Sequence, residues 1–475
     1  MDNGAAAWVQ ATMRAPLTRN GYSLVASAGV TSALGLVYWV VAARLYTPAE
    51  VGVNAALLST MMALGNVAQL NLGSLLTRFL PDTGPASGQW ILRAYAAATA
   101  AAILSCLLFV LGVERWAPSL RFLAEDPWMI LWFTAATAIW TLFSLQDNVL
   151  AGLRRSVWVP VENTVFALAK LGLLLLFAEG AWRALGPFAS WTLPLLATAV
   201  PVNLLIFGRL LKCAGTGARP ARPSISRRLV ARYFGGDFVG TLFLSAAMGV
   251  APVLVLEWAG AEANALYYMA WTIAYTLYLV SKYMGVALLA EGAADRENLR
   301  ALATGALAHT MGLLAVGVAI LLAGAPLILR LFGASYAAEG VTLLRVLALS
   351  ALPFGFTSVF LGVARVEGRM TAVAVVQGLL LVLVVALGVP LLARFGVLGM
   401  GVAWLLAQTA IALLVAVLVV NRTGVRRILG FRPWTPRAPA ERSAMAAQTR
   451  RAAWTPATIR PGGAGGTSGR GAEEG

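Results

Sequence analysis

The sequence is poor in charge, in cysteine and in histidine. Only 12% of its 475 residues are Asp, Glu, Lys or Arg, about half the share usual in a soluble domain. It has two cysteines and one histidine. Cys106 lies in an apolar run and Cys213 in a basic loop, so neither a disulfide framework nor a metal-ligand spacing can be drawn. No nucleophile–base set and no phosphate-binding glycine loop stands in a plausible site. The loops expected on the outer face are short, whereas membrane enzymes that act on lipid-linked sugars tend to carry a sizeable extracytoplasmic loop with acidic or histidine residues. These absences argue against an enzyme, a resident metal and a cofactor. Acidic residues are scarcer than basic ones, 20 against 36, for a formal charge of +16. Nucleic-acid binding would need a basic face on a folded soluble domain, and no such domain is visible. Arginines that set membrane topology explain the excess instead.

What is present is apolar sequence. Hydrophobic residues make up 59% of the chain, and its mean hydropathy is +0.78. The pattern predicts an all-α polytopic membrane protein of about twelve transmembrane helices in two six-helix bundles. Spans are expected over 21–44, 49–73, 92–112, 128–151, 157–178, 188–210, 233–257, 263–289, 301–324, 341–362, 371–393 and 397–420. The first is too long for a signal-peptide core and lacks a small-residue cleavage site at its end, so it is expected to remain as a span. Arginine crowds alternate loops, among them the stretch from Leu211 to Arg232. With those loops inside, the protein is a multi-pass protein of the cell membrane with both termini cytoplasmic. The expected organisation is an N-terminal bundle (1–210), a basic cytoplasmic linker (211–232), a C-terminal bundle (233–420) and a disordered basic tail (421–475), whose composition shifts to Arg, Pro, Gly, Ala and Thr. The halves carry a weak repeat at an offset of about 210 residues. Tyr46-Thr47-Pro48-Ala49-Glu50 answers to Trp258-Ala259-Gly260-Ala261-Glu262, and Val149–Arg154 answers to Val359–Ala364. An even number of spans per copy makes it a parallel repeat, and substrate sites in such folds lie between the halves near mid-membrane.

The stretch from Asn20 to Pro81 is the most informative. Two apolar runs flank an elbow, Arg44 to Glu50. There Thr47 and Glu50 can close a capping box, with Pro48 at the first helical position. Gly29-x-x-Ser32-x-Leu34-Gly35-x-x-Tyr38-Trp39 leads into Ala42-Ala43-Arg44-Leu45-Tyr46-Thr47-Pro48-Ala49-Glu50-Val51-Gly52 and closes with Arg78-Phe79-Leu80-Pro81. This pattern resembles the start of Wzx-type polysaccharide flippases of the multidrug/oligosaccharidyl-lipid/polysaccharide (MOP) exporter superfamily. The hydropathy layout carries the resemblance to about Asn421. It implies a transporter that flips a polyprenyl-diphosphate-linked oligosaccharide from the inner to the outer leaflet for cell-surface polysaccharide biosynthesis. Membrane lipids, and a glycan polymerase or glycosyltransferases, are the other partners it implies. The alternatives are a drug or cation antiporter of the same superfamily and a non-transporting scaffold of an envelope assembly complex. The antiporter is disfavoured by the lack of a carboxylate in the first two apolar runs.

An ionisable residue inside the bilayer needs a reason, since it costs at least about 2.5–3.5 kcal/mol. Lys170 lies about 18 Å into the fifth span, too deep for its stem to reach water. Two readings stand open for it: a cation facing a wet cavity, where it meets the substrate's diphosphate, or a partner of Asp147, Glu162 or Asp237. Arg44, Arg78 and Lys282 are further candidate cavity cations, although topology and interface anchoring account for the arginines. Asp147, Glu162 and Asp237 lie toward inner helix ends as candidates for charge pairing or coupling-ion contact. Arg345 begins the tenth span. His309 is a proton-relay candidate or a packed, hydrogen-bonded residue. Asn54, Asn66, Gln69 and Asn71 suggest a hydrated wall or helix–helix hydrogen bonds. Tyr38, Trp39, Trp90, Trp128 and Trp158 read as interfacial aromatics. Pro194, Pro201, Pro252 and Pro353 can kink their helices, or stand there because proline is common in membrane helices.

Overall fold

The computed structural model describes residues 33–80, 83–153, 155, 158–211, 227–294 and 296–420; the side chains of 78, 227–237, 286, 290, 293, 294 and 420 are not described. The start of the first span, residues 212–226 of the basic linker and the expected disordered tail fall outside these residues; the end of the expected linker, from Arg227, is already helical rather than linker. Among the described residues, eleven helices are long and apolar enough to cross a membrane, and Ala33–Leu45 is a shorter twelfth. They are α1 (Ala33–Leu45), α2 (Pro48–Ala68), α3 (Ser87–Trp116), α4 (Pro127–Gly152), α5 (Trp158–Leu176), α6 (Gly186–Leu205), α7 (Arg227–Ala259), α8 (Ala261–Ala294), α9 (Leu299–Phe332), α10 (Ala334–Val366), α11 (Met370–Phe395) and α12 (Val397–Val420). The protein is all-α and polytopic, with two bundles of six. Helices in the two halves begin at a near-constant interval: Pro48 with Ala261, Ser87 with Leu299, Pro127 with Ala334, Trp158 with Met370 and Gly186 with Val397.

The elbow before α2 is built as its residues dictate. The Glu50 N–H donates to Thr47 Oγ1 (3.2 Å) and the Thr47 N–H donates to Glu50 Oε2 (2.8 Å), so two orphan donors of the helix start are satisfied reciprocally. Pro48 sits at the first helical position. The same Glu50 accepts from Arg183 Nε at 3.2 Å, while Arg183 also donates to the carbonyls of Ala178 (2.7 Å) and Leu45 (2.9 Å). One guanidinium therefore joins the end of α1, the start of α2 and the α5–α6 connection.

α2 is the hub between the halves. It packs on α3, α4 and α6 of its own bundle and on α7 and α8 of the other. Small residues allow the approach: a Cβ on Gly52 would collide with the Ala261 backbone, and one on Gly249 would collide with the Ala63 side chain. Asn54 is fully buried on this helix. Its amide donates to the Glu50 and Ala184 carbonyls, and its oxygen accepts the Phe188 N–H at 3.0 Å. Asn54 thus caps the start of α6 from a neighbouring helix, which is the helix–helix role rather than a wet wall.

Three expectations are corrected. α2 ends at Ala68, five residues short of the expected 73, because Leu70 (φ 49°) and Asn71 (φ 54°) are left-handed and the chain restarts as a short helix, Leu72–Phe79. The tenth span is interrupted at Ser350 between Ala334–Leu349 and Ala351–Val366. Pro353 has no N–H for the Leu349 carbonyl, and helical bonding resumes with the Phe354 N–H on the Ser350 carbonyl. Finally, Tyr38 and Trp39 are core residues, 0% and 3% exposed, whereas Trp128 and Trp158 are exposed as an interfacial position requires. In the second bundle the break at Ser350 is held by Tyr278, whose hydroxyl pairs with Ser350 Oγ (2.6 Å) and accepts from Trp404 Nε1 (2.8 Å). This links α8, α10 and α12.

Candidate functional site

The buried face of α5 carries Glu162, Phe166 and Lys170 at helical spacing. Four-residue steps stack side chains on one stripe, so a carboxylate and an ammonium lie on the same face about 12 Å apart along the axis, with an aromatic ring between them.

Lys170 is 5% exposed. Its Nζ stands 3.7 Å from the Trp191 ring centroid, 5.1 Å from that of Tyr38 and 5.3 Å from that of Phe166. Tyr38 comes from α1 and is fixed by its hydroxyl, which donates to the Pro187 carbonyl (3.0 Å) and pairs with Ser190 Oγ (2.8 Å). Trp191 comes from α6 and meets Tyr38 and Phe166 edge to face. Three helices thus build an aromatic cage round the ammonium. Each ring face is electronegative, so the cage replaces part of the lost hydration. Among the described residues no carboxylate lies within the 4.0 Å of an ion pair with Lys170.

Glu162 and Asp147 occupy the other end of the stripe. Glu162 is 4% exposed. Its Oε1 accepts from Gln146 Nε2 at 2.8 Å, and Gln146 Oε1 accepts from Asn203 Nδ2 at 2.8 Å. Asp147 Oδ2 meets Asn163 Nδ2 at 3.5 Å. A polar network therefore runs across α4, α5 and α6 near the ends opposite the elbow. Buried charge at this depth is costly unless hydrogen-bonded, and the amides of Gln146 and Asn163 supply part of that bonding.

The other candidates are dispersed. Arg44 donates through Nε to the Leu331 carbonyl (2.9 Å) and through Nη2 to the Arg330 carbonyl (2.7 Å). A cation on the last carbonyls of a helix also meets its negative dipole end, so Arg44 of the first half caps α9 of the second. Arg345 donates to the Leu322 carbonyl at 2.9 Å. Lys282 lies on the exposed surface of α8, and His309 is exposed on α9 with Nδ1 2.8 Å from the Gly305 carbonyl. The side chains of Arg78 and Asp237 are outside the described residues. Sequence reasoning missed Arg183 and the cage. The cage's ring spacing is set by three helices far apart in sequence, and no local signal marks it.

Among the described residues, three sets of hydrogen bonds join the halves at the elbow end. Besides Arg44, the Ser119 N–H and hydroxyl donate to Glu257 at 2.8 and 3.0 Å, and Asn264 Nδ2 donates to the Gly52 carbonyl at 2.7 Å.

No protein-family profile and no curated protein matches the sequence. Solved structures do match the fold. One is an inward-facing conformation of a multidrug resistance MATE family transporter of the MOP superfamily: 14% identity, 83% of this chain and 96% of that one, TM-score 0.59. Another is the lipid II flippase MurJ in an inward closed conformation: 13% identity, 84% and 87% coverage, TM-score 0.65. A third is a MOP superfamily transporter from Pyrococcus furiosus Vc1: 15% identity, 84% and 94% coverage, TM-score 0.53. At this identity the likeness concerns architecture: the chain has the two-bundle fold of MOP-superfamily transporters.

Proposed function

We propose that the protein is an alternating-access membrane transporter of the MOP type, with the elbow end facing outside and both termini in the cytoplasm. The observation that carries this is the placement of the inter-half contacts. Arg44, Asn264 and the Ser119–Glu257 pair close the elbow end, while α2 crosses the seam on small residues. Two rigid bundles joined this way can rock about α2 and expose a central site to one side at a time.

The finer reading is a flippase for a polyprenyl-diphosphate-linked oligosaccharide. The elbow sequence supports it, and so does Lys170, a buried cation free of any described carboxylate. An anionic head group entering between the bundles would draw on that charge while the lipid tail stays in the bilayer. A cation-coupled drug antiporter is the second reading. It is favoured by the buried Glu162 and the half-buried Asp147, carboxylates in the first bundle of the kind an exchanging cation requires.

The test is a deletion strain. Accumulation of lipid-linked sugar on the cytoplasmic side, reversed by the wild-type gene, supports the flippase. Unchanged lipid-linked sugar with heightened sensitivity to cationic drugs supports the antiporter. Absence of both, with transport also absent in proteoliposomes, refutes a transporter and leaves the scaffold.

A further inference from the structure

α10 is broken at its centre, with 16 residues in the arm before Ser350 and 16 in the arm after it. Pro353 offers no N–H, so the Leu349 carbonyl loses its helical donor. The ladder bonds beside the gap are long: the Ser350 N–H reaches the Val346 carbonyl at 3.3 Å, and the Phe354 N–H reaches the Ser350 carbonyl at 3.3 Å. The backbone alone therefore ties the two arms weakly.

A chain of side-chain hydrogen bonds reinforces the break, and its direction is fixed. Ser350 Oγ lies 2.5 Å from the Leu347 carbonyl, which can only accept, so the serine proton goes there. The Trp404 indole can only donate, and its Nε1 meets Tyr278 Oη at 2.8 Å. The remaining proton, that of the Tyr278 phenol, goes to Ser350 Oγ at 2.6 Å, since each hydroxyl has a single proton to give. The chain runs from α12 through α8 into α10. Each of the three side chains is at most 1% exposed, and hydrogen bonds in series polarise one another. The Tyr278 ring also stands 4.3 Å from the Phe354 ring. Tyr278 thus touches the break through its hydroxyl and the second arm through its ring.

The first bundle supplies the contrast. The interval that pairs Pro48 with Ala261 also pairs Gly65 with Tyr278 and Trp191 with Trp404. Gly65 has no hydroxyl to offer, and Trp191 Nε1 is buried without a partner. There α4, the counterpart of α10, runs unbroken from Pro127 to Gly152. The break, the tyrosine and the bonded indole stand together in one half and are all missing from their counterparts in the other. α8 is also a helix of the seam: its Asn264 donates to the Gly52 carbonyl at 2.7 Å, and its Tyr268 ring lies 4.8 Å from that of Trp39.

We propose that the stretch from Ser350 to Pro353 is a hinge inside the second bundle, and that Tyr278 is the positioning residue that sets its angle. Movement of α8 at the seam draws the phenol off Ser350. The arm Ala351–Val366, then tied to the other arm by long ladder bonds alone, swings about the break. This bend adds to the rocking of the two halves and does not depend on what is transported. It makes the second bundle the pliant half and the first, with its unbroken α4, the stiff one.

The test follows the two arms in the full chain purified in detergent. Cys106 and Cys213 are replaced by alanine, and spin labels are placed at Ala338 and Val363, one on each arm; hydrogen exchange of the unlabelled protein is read alongside. Tyr278→Phe is expected to broaden the distance distribution and to speed amide exchange over 350–357 by about tenfold, as the loss of a buried hydrogen bond opens a local segment, with exchange in α11 unchanged. Pro353→Ala returns a donor to the Leu349 carbonyl. It is expected to narrow the distribution and to reverse both effects of Tyr278→Phe in the double variant. A tyrosine that merely packs would lower the melting temperature without moving the distances. Should Tyr278→Phe fail to fold, Ser350→Ala cuts the same chain at its other end and is judged by the same two readings. An unchanged distance distribution, exchange that rises equally along all helices, or no rescue by Pro353→Ala would overturn the hinge.

Discussion

Replacing Lys170 by methionine separates a solitary caged ammonium from a paired one by the sign of the stability change. Methionine matches the length of the stem and removes the charge. In the wild type the ammonium sits 3.7 Å from the Trp191 centroid with Tyr38 and Phe166 at its flanks. A desolvated cation–π contact contributes about 2 kcal/mol. Against it stands the desolvation of the ammonium, several kcal/mol for a buried ion after relaxation. The methionine sulfur would regain part of the ring contact, and no described carboxylate is left without its partner. Lys170→Met is therefore expected to be neutral or stabilising, by up to about 1–4 kcal/mol. Had Lys170 been paired, the same change would destabilise by about 3–5 kcal/mol, because a buried carboxylate would be stranded. Tryptophan-fluorescence melting of the purified variant reads the sign, and transport in proteoliposomes reads the function. The proposal of an anionic substrate further expects a stable Lys170→Met protein that does not transport, with Lys170→Arg partly active because charge survives in a changed geometry. A destabilised Lys170→Met rescued by Glu162→Gln would refute the solitary cage. Normal transport by a stable Lys170→Met protein would refute the anion-receiving role.

Further tests follow from the elbow end and the seam. Asn54→Ala strands the buried Phe188 N–H, at about 1–3 kcal/mol, and also removes the bond to the Ala184 carbonyl, so melting in detergent should fall accordingly. Arg183→Ala removes three hydrogen bonds; a partly exposed site softens the loss, and limited proteolysis should show earlier cleavage at the α5–α6 connection. Gly249→Leu places a branched side chain against Ala63, so cysteines placed on either side of the elbow-end seam should crosslink less efficiently than in wild type. Reporter fusions at Gly217 should give a cytoplasmic signal; activity only as an external marker would invert the proposed orientation.

The helices were legible because a bilayer leaves the chain little choice. Backbone groups in hydrocarbon must be satisfied within the segment, so length and apolarity alone locate the spans. The elbow was legible for a local reason: Thr47, Pro48 and Glu50 carry their cap geometry within four residues. Depth was readable too, and Lys170 was singled out by it. The partner of Lys170 was not readable. Its cage draws on Tyr38, Phe166 and Trp191, and aromatic residues in an apolar chain look alike whether they face lipid or a lysine. Tyr38 and Trp39 show the same ambiguity, since nothing in their spacing separates a core ring from an interfacial one. The interruption at Ser350 needed a register that Pro353 alone does not give. Arg44 stood out by charge, yet that it reaches the end of α9 depends on how two bundles meet.

The elbow-end closure also says what can open it. Arg44 grips main-chain carbonyls and Asn264 grips another. Both contacts end on neutral main-chain oxygens, and neither is an ion pair that salt would dissolve. Of the inter-half hydrogen bonds described, the Ser119–Glu257 contact alone has a carboxylate member. A change of ionic strength at the elbow end thus finds little to act on. If the elbow end faces outside as proposed, its seal is deaf to the medium it faces, and the signal to part it has to arrive from within the membrane, through whatever occupies the bundles.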